Sequence, residues 1–270
     1  MSVDYQSLRG RSPETLRAAF RAGAYTSHTA GLGAGLLQAN LAIMPERYAL
    51  DFMRFCQRNP KPCPLTGVSD TGNPMMFTLG RDIDIRHDVP AYNVYRDGVL
   101  AESTTDITAL WQDDFVAFAL GCSFTFEHAL EKAGISLWHI RNNTTVPMYR
   151  TNIETTPAGP FSGPMVVSMR MIDPVRLEQV QTICRRYPLA HGAPVHWGDP
   201  SEIGIANADG PDWGDPVPQE PGKIPVFWAC GVTPQAAVAR AKLPICITHK
   251  PGHMLITDIA EDAEVPVFRP

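Results

Sequence analysis

The chain has 270 residues, of which 44% are hydrophobic and 19% charged, with a net charge of −5. This is the composition of a globular chain able to bury a substantial core, and it excludes a disordered tail. The mild acidity offers nothing to nucleic acid or an anionic membrane surface, and no run approaches the roughly 18 apolar residues of a membrane span, so neither is expected as a partner.

The first 23 residues have no apolar core followed by a small-residue cleavage site, so no secretory signal is expected. Ser12-Pro13-Glu14 opens the first helix: Ser12 can cap it, and Pro13 forfeits an N–H that would be unpaired at the first helical position anyway. Leu16, Phe20 and Ala24 run down one face. Residues 31–45 (GLGAGLLQANLAIMP) read as a buried strand or a helix start. Pro45-Glu46 begins a second helix with Tyr48, Phe52 and Phe55 on one stripe, ending before the prolines of 59–65. Residues 65–101 alternate short β pieces with turns, and Asp97-Gly98 is a hairpin signal. A third helix is expected from Ile107–Leu110 onward, and a fourth after GCSF, over 125–134. Residues 165–172 (MVVSMRMI) form a strand, Asp173-Pro174 starts another helix, and 191–198 (HGAPVHWG) reads as a further strand. After a polar loop at 209–222 come a buried strand (IPVFWACG), a helix capped at Thr233-Pro234, and the last strands within 244–259. Strand, capped helix, strand predicts a βαβ unit with a parallel pair.

The expected fold class is therefore α/β, mixed with α+β character, in two intimately packed subdomains. Residues 1–110 and 211–270, both chain ends, form the main one, and 111–210 form an inserted plait-like sandwich. The 25 prolines and 21 glycines, without repeats or low complexity, imply many fixed turns of the kind that build sites on a scaffold. Six cysteines at irregular spacings, with no CxxC, imply buried thiols in a reducing compartment, and a cytoplasmic location is expected.

Several polar clusters can carry chemistry. In GCSFTFEHAL (121–130), Cys122 or Ser123 sits at a helix N-terminus, where the dipole and free N–H groups favour a thiolate or a bound carboxylate. The plainer reading has Ser123 capping the helix and Cys122 as a small buried hydrophobe. Glu127, four residues on, shares the face of Ser123. In 141–170, Arg141, Arg150 and Arg170 can each clamp a carboxylate bidentately, with Thr151 and Asn152 as neutral partners. His191 and His196 are five apart, so on a strand they face opposite sides, which argues against one shared metal. Asp212 and Asp215 flank Trp213-Gly214 as paired carboxylates or turn residues. Gly231 and Thr233-Pro234 mark a strand-to-helix turn of the kind that places ligands. His253, beside a Pro-Gly turn, suits a general base. No phosphate-loop, dinucleotide, metalloprotease or zinc-finger spacing occurs, so no cofactor and no metal is expected.

QANL (38–41), FCQRNPKPCPL (55–65), GCSFTFEHAL (121–130), VPMYRTNI (146–153), FSGPMVVSMR (161–170), HGAPVHWGDP (191–200), PVFWACGVTPQ (225–235) and PGHMLITD (251–258) resemble, in order and wording, the D-glutamate cyclase family, whose bacterial members are described as hydro-lyases. The resemblance spans nearly the whole chain. It implies a carbon–oxygen lyase that removes water from a small carboxylic or amino acid, with cyclisation of D-glutamate to 5-oxo-D-proline as the named example. No catalytic assignment comes with it, so the site rests on the chemistry. Glu127, His253 and Cys122 are the catalytic candidates. Ser123, Arg150, Asn152, Arg170 and His196 are the candidates for substrate binding. Two alternatives stay open: a non-catalytic protein that binds small acids, and a metal-dependent hydrolase using His191, His196 and Asp215. Self-association is also left open.

Overall fold

The structure is a computed structural model that describes residues 3–264 and 266–268. Seven α-helices occur among the described residues: α1 (Tyr5–Leu8), α2 (Pro13–Arg21), α3 (Glu46–Arg58), α4 (Phe124–Lys132), α5 (Trp138–Asn142), α6 (Leu177–Arg185) and α7 (Val232–Arg240). The strands are β1 (Leu36–Pro45), β2 (Leu65–Val68), β3 (Tyr92–Arg96), β4 (Val99–Thr104), β5 (Phe115–Gly121), β6 (Met148–Glu154), β7 (Pro164–Ile172), β8 (His196–Trp197), β9 (Ile224–Ala229), β10 (Cys246–His249) and β11 (Leu255–Ala260). The chain is thus mixed α/β, as its composition of elements predicts.

Two sheets organise it. The larger has seven strands in the order β2-β5-β1-β10-β3-β4, with β11 also paired to β1. The smaller runs β6-β7-β9-β8. Strand β5 falls within 111–210 yet pairs in the larger sheet, while β9 lies beyond 210 and pairs in the smaller one. The helix α7 therefore leaves one sheet and returns to the other, and the expected parallel pair is absent: every strand pair among the described residues is antiparallel. A helix of the right length between two strands does not specify that they share a sheet.

The larger sheet is buried on both faces along β1, where every residue from Leu37 to Pro45 is buried and the two polar ones, Gln38 and Asn40, donate to backbone carbonyls. Leu41 and Ile43 join one cluster with Tyr92, Phe115 and Ile247. Ala42 and Met44 join a second, against Phe52 and Phe55 of α3 and Val238 of α7. A third cluster unites α4, α6 and the small sheet through Phe126, Val180 and Trp228. Ser12 caps α2 through Oγ, which accepts the Thr15 N–H at 3.4 Å. Asp97 and Gly98 turn the β3–β4 hairpin with φ of 50° and 80°, the left-handed pair a type I′ turn requires.

Three local expectations change. The helix from Ile107 is a single 3-10 turn, Thr108–Leu110. The strand around 191–198 shrinks to His196–Trp197, and His191 lies off it in a left-handed turn at φ 73°. Ser123 makes no side-chain cap to α4, because its hydroxyl is taken by Arg170.

The two sheets also share a plan. β1-α3-β2 followed by β5-α4 matches β7-α6-β8 followed by β9-α7, apart from the β3–β4 hairpin inserted between β2 and β5. In each, the third strand of the unit lies between the first and second, the split βαβ of a plait. The fourth strand is exchanged: β6 leaves α4 but pairs with β7, and β11 lies downstream of α7 but pairs with β1. The chain read as free of repeats is an internal duplication at the level of topology.

Candidate active site

The turns that follow β5 and β9 meet where the sheets face each other. Each opens a nine-residue helix after a cysteine, Cys122 or Cys230. Cys122 N–H donates to the Gln38 carbonyl and Cys230 N–H to the Val166 carbonyl, both at 3.0 Å. Reciprocally, the Gln38 N–H donates to Thr125 Oγ1 at 3.0 Å and the Val166 N–H to Thr233 Oγ1 at 2.9 Å. A small enclosed cavity lies between the two turns, lined by Asn40, Cys122, Ser123, Cys230, Val232 and His249. Gly231 is needed there, since a Cβ would sit 2.1 Å from Asn40 Nδ2.

Behind Ser123 is a buried charged network. Arg170 donates from Nε to Glu127 Oε1 at 3.0 Å, from Nη1 to Ser168 Oγ at 3.0 Å and from Nη2 to Ser123 Oγ at 2.9 Å, with a further Nη2 bond to Glu127 Oε1. His139 Nε2 lies 2.9 Å from the same Oε1. The guanidinium also stacks between Phe126 and Trp228. Burial alone would raise the Glu127 carboxyl, but His139 and Arg170 overcome that and hold it below its ordinary range. It is an ionised carboxylate in the interior.

On the outer side of α7 is a groove of about 400 Å³. Arg150 and Arg240 line it together with Tyr95, Trp213, Val232 and Gln235, and no carboxylate is among its lining residues. Arg150 is paired with Asp212 and lies 4.5 Å above the Trp213 ring. Tyr95 and Trp213 also line an adjoining groove that holds Lys250, Asp215 and His253. His253 is 8% exposed. Its Nδ1 lies 2.9 Å from the Pro251 carbonyl, which accepts only from a protonated nitrogen, so Nε2 keeps the lone pair. Burial lowers its pKa to about 4, so the ring is neutral at physiological pH. Burial raises the Tyr95 phenol, which keeps its proton.

The candidates thus separate into groups. Cys122, Ser123, Glu127 and Arg170 converge in the interior. Arg150 and His253 lie in adjoining surface grooves that share a wall. Asn152 is exposed and packs beside Gly204, outside both grooves. His196 donates from Nε2 to the Asp199 carbonyl, 2.8 Å away, with its ring against Phe227. His191 is buried and bonded to the Lys61 carbonyl, and no three His, Cys, Asp or Glu side chains among the described residues gather as a metal site. The Cys122 thiol is raised by burial, first of all, and stays protonated. Three participants were not singled out from sequence: His139, Gln235 and Tyr95. Gln235 reaches His249, with Nε2 2.9 Å from Nδ1, across 14 residues of sequence, and His139 reaches Glu127 across 12, so no local spacing announces either.

Residues 116–258 match the model of the family described as D-glutamate cyclase. The chain belongs to that family. It is 71% identical over 266 residues to a protein of Dinoroseobacter shibae, covering 98% of this chain and 89% of that one. With a protein of Ruegeria pomeroyi the identity is 72% over 267 residues, 99% of this chain and 97% of the other. A Jannaschia relative is 59% identical over 254 residues, 94% and 96% of the two chains. All three are provisionally named hydro-lyases, which supports lyase chemistry in general terms for this chain. A nitrogen repressor-like protein of Methanococcus jannaschii superposes with a TM-score of 0.41 at 10% identity, over 95% of this chain and 99% of that one. That likeness carries no functional argument. No helix among the described residues is long and apolar enough to cross a membrane.

Proposed function

We propose that the chain is a hydro-lyase that removes water from a small carboxylic or amino acid held across the Tyr95–Trp213 wall, with D-glutamate to 5-oxo-D-proline as the reaction to test first. The observation that carries this reading is a groove lined by two arginines and no carboxylate, abutting a neutral, buried histidine. Arg150 and Arg240 hold the α-carboxylate. His253 Nε2 takes a proton from the α-ammonium, the freed amine bonds to the γ-carboxyl carbon, and the C–O bond breaks. Tyr95 gives the departing oxygen one proton and the nitrogen of the new C–N bond gives up its second to the same oxygen, so it leaves as water and not as hydroxide, a poor leaving group, and the proton on His253 restores the Tyr95 phenol through solvent. Folding the amine back onto the carboxyl carbon supplies much of the acceleration as orientation.

The interior residues act behind this. Arg170, Glu127 and Ser123 fix the start of α4 and the wall of the enclosed cavity, and so position the site without touching substrate. A Cys122 thioester needs a thiolate that burial disfavours. Asn152 and His196 receive no role.

The test is turnover of D-glutamate followed by loss of its primary amine. His253→Gln is expected to lower kcat by roughly 10²- to 10⁴-fold with the fold intact. Arg150→Ala is expected to lower kcat/KM by about 10- to 100-fold, the loss of one charged contact. Wild-type kinetics in both variants would remove this assignment, and binding of acids without turnover by the native chain would favour a binding protein instead.

A further inference from the structure

The duplication relates the outer groove to a second hollow. In α7 the groove is lined by Val232, Gln235 and Ala239. Their counterparts in α4, set by the matched pairs Cys122/Cys230 and Thr125/Thr233, are Phe124, Glu127 and Glu131. Those three line a hollow of about 250 Å³, which shares Phe124 with the cavity between the turns as the outer groove shares Val232. The match extends to the segments before the first strands. Ala34 lines the hollow two residues before β1, and Ser162 lines the groove two residues before β7.

The chemistry of the two copies is opposite. The groove has arginines and the neutral Gln235. The hollow has the carboxylates of Glu127 and Glu131, with Arg9 at its edge. Glu127 is 1% exposed, and its Oε2 has no hydrogen-bond partner among the described residues, all the bonds from Arg170 and His139 going to Oε1. An unmet anionic oxygen in the interior costs free energy until a donor reaches it. Burial and Glu127 together raise the Glu131 carboxyl, opposed by Arg9, His139 and His128, and of these His128, which also lines the hollow, is paired with Glu261.

We propose that this hollow is a second small-molecule site that takes an α-amino acid, its ammonium against Glu127 and Glu131 and its carboxylate against Arg9. It is the duplicate of the outer groove with its polarity reversed, and it does not depend on the groove being catalytic. The volume limits the occupant to a small amino acid. None of Arg9, Glu131 or Ala34 takes part in the chemistry proposed above.

Glycine is the probe, because it has both charged groups and no side-chain carboxyl that could cyclise. By calorimetry, the native chain is expected to bind one glycine with a Kd below about 10 mM. The double variant Arg9→Ala/Glu131→Gln is expected to weaken this at least tenfold while retaining the native melting temperature within a few degrees. Propionate, which lacks the ammonium, is expected to give no heat at this site, and Arg150→Ala is expected to bind glycine as the native chain does. Absence of glycine binding to the native chain, unchanged binding in the double variant, or propionate binding to Arg150→Ala as tight as that of glycine would each overturn the proposal. If turnover is untouched by Arg150→Ala, the catalytic reading fails alone, because the glycine result is read at other residues.

Discussion

Arg170 is the charge whose removal should cost most. It is 2% exposed and shares its hydrogen bonds among Glu127, Ser123 and Ser168. Arg170→Ala would strand the ionised Glu127, and breaking a buried pair from one side costs about 3–5 kcal/mol. Equilibrium urea unfolding measures it, and a loss under about 1 kcal/mol would mean that Glu127 can take up a proton or a water at no cost. A second residue-level effect is pH dependence. Burial lowers His191 from 6.5 to about 4, His249 to about 3 and His253 to about 4. Each ring is neutral when folded, while in the unfolded chain it binds a proton below about 6.5. Between those values the unfolded state holds more protons, so stability rises with pH there. It is fully present above about pH 6.5 and falls as pH drops toward 4, by about 3 kcal/mol for each fully buried ring. Urea midpoints at intervals from pH 4.5 to 7.5 should climb and then level off. His191→Gln, whose ring Nε2 is unpartnered in the native chain, should reduce that climb. Midpoints that stay level across this range would show that these rings titrate as they do in water.

At the scale of elements, the two helix-opening turns should respond alike. Thr125 and Thr233 each use Oγ1 to satisfy a buried N–H of the first strand in their unit, Gln38 or Val166. A valine has the same shape and no acceptor, so Thr125→Val or Thr233→Val leaves one buried N–H unpaired, about 1–3 kcal/mol. The two losses should agree to within about 0.5 kcal/mol and add when combined, as independent sites do. A large cost at one and none at the other would mean that the turns are not equivalent. The sequence marks these turns: Gly121-Cys122 before an amphipathic run and Gly231 with Thr233-Pro234 indicate helix starts, and α4 and α7 begin at Phe124 and Val232, although Thr233 lies inside α7 and bonds Val166 instead of capping the helix. It also shows the helix of 46–58 and the hairpin at Asp97-Gly98, because capping, stripe and turn chemistry are local. What joins the turns is not local. Cys122-x-x-Thr125 and Cys230-x-x-Thr233 share two identities in four positions, too few to stand out until the strands that they pin are seen in register. The same reason hides His139 from Glu127 and Gln235 from His249. Arg150 and Arg170, read from one polar segment, share a face of the small sheet, since Arg150 pairs with Val166 and Arg170 lies four residues further along β7, and that offset puts one in the outer groove and the other in the interior network.

For the whole molecule, the exchanged strands decide what can fold alone. A cut between Gly159 and Pro160, an exposed loop between β6 and β7, separates the two units by sequence. The first fragment keeps β1 to β6 but loses β10, which joins β1 to β3 within the larger sheet. Its β6 also loses its partner β7. The second keeps β7, β8 and β9 without β6, and carries β10 and β11 with nothing to pair against. Each fragment therefore exposes unpaired strand edges and half of a core, and Phe161 is parted from Phe52 and Phe55. Neither is expected to give a dispersed amide spectrum by itself, whereas the two mixed should associate one to one and regain it. Were residues 1–159 to fold independently, the larger sheet would not need β10, and the exchange of strands would be an ornament on two autonomous domains. Because the cavity and the outer groove are lined by both units, and Glu127 of the hollow is held by Arg170 of the other unit, recovery of turnover and of glycine binding should follow recovery of the spectrum and not precede it.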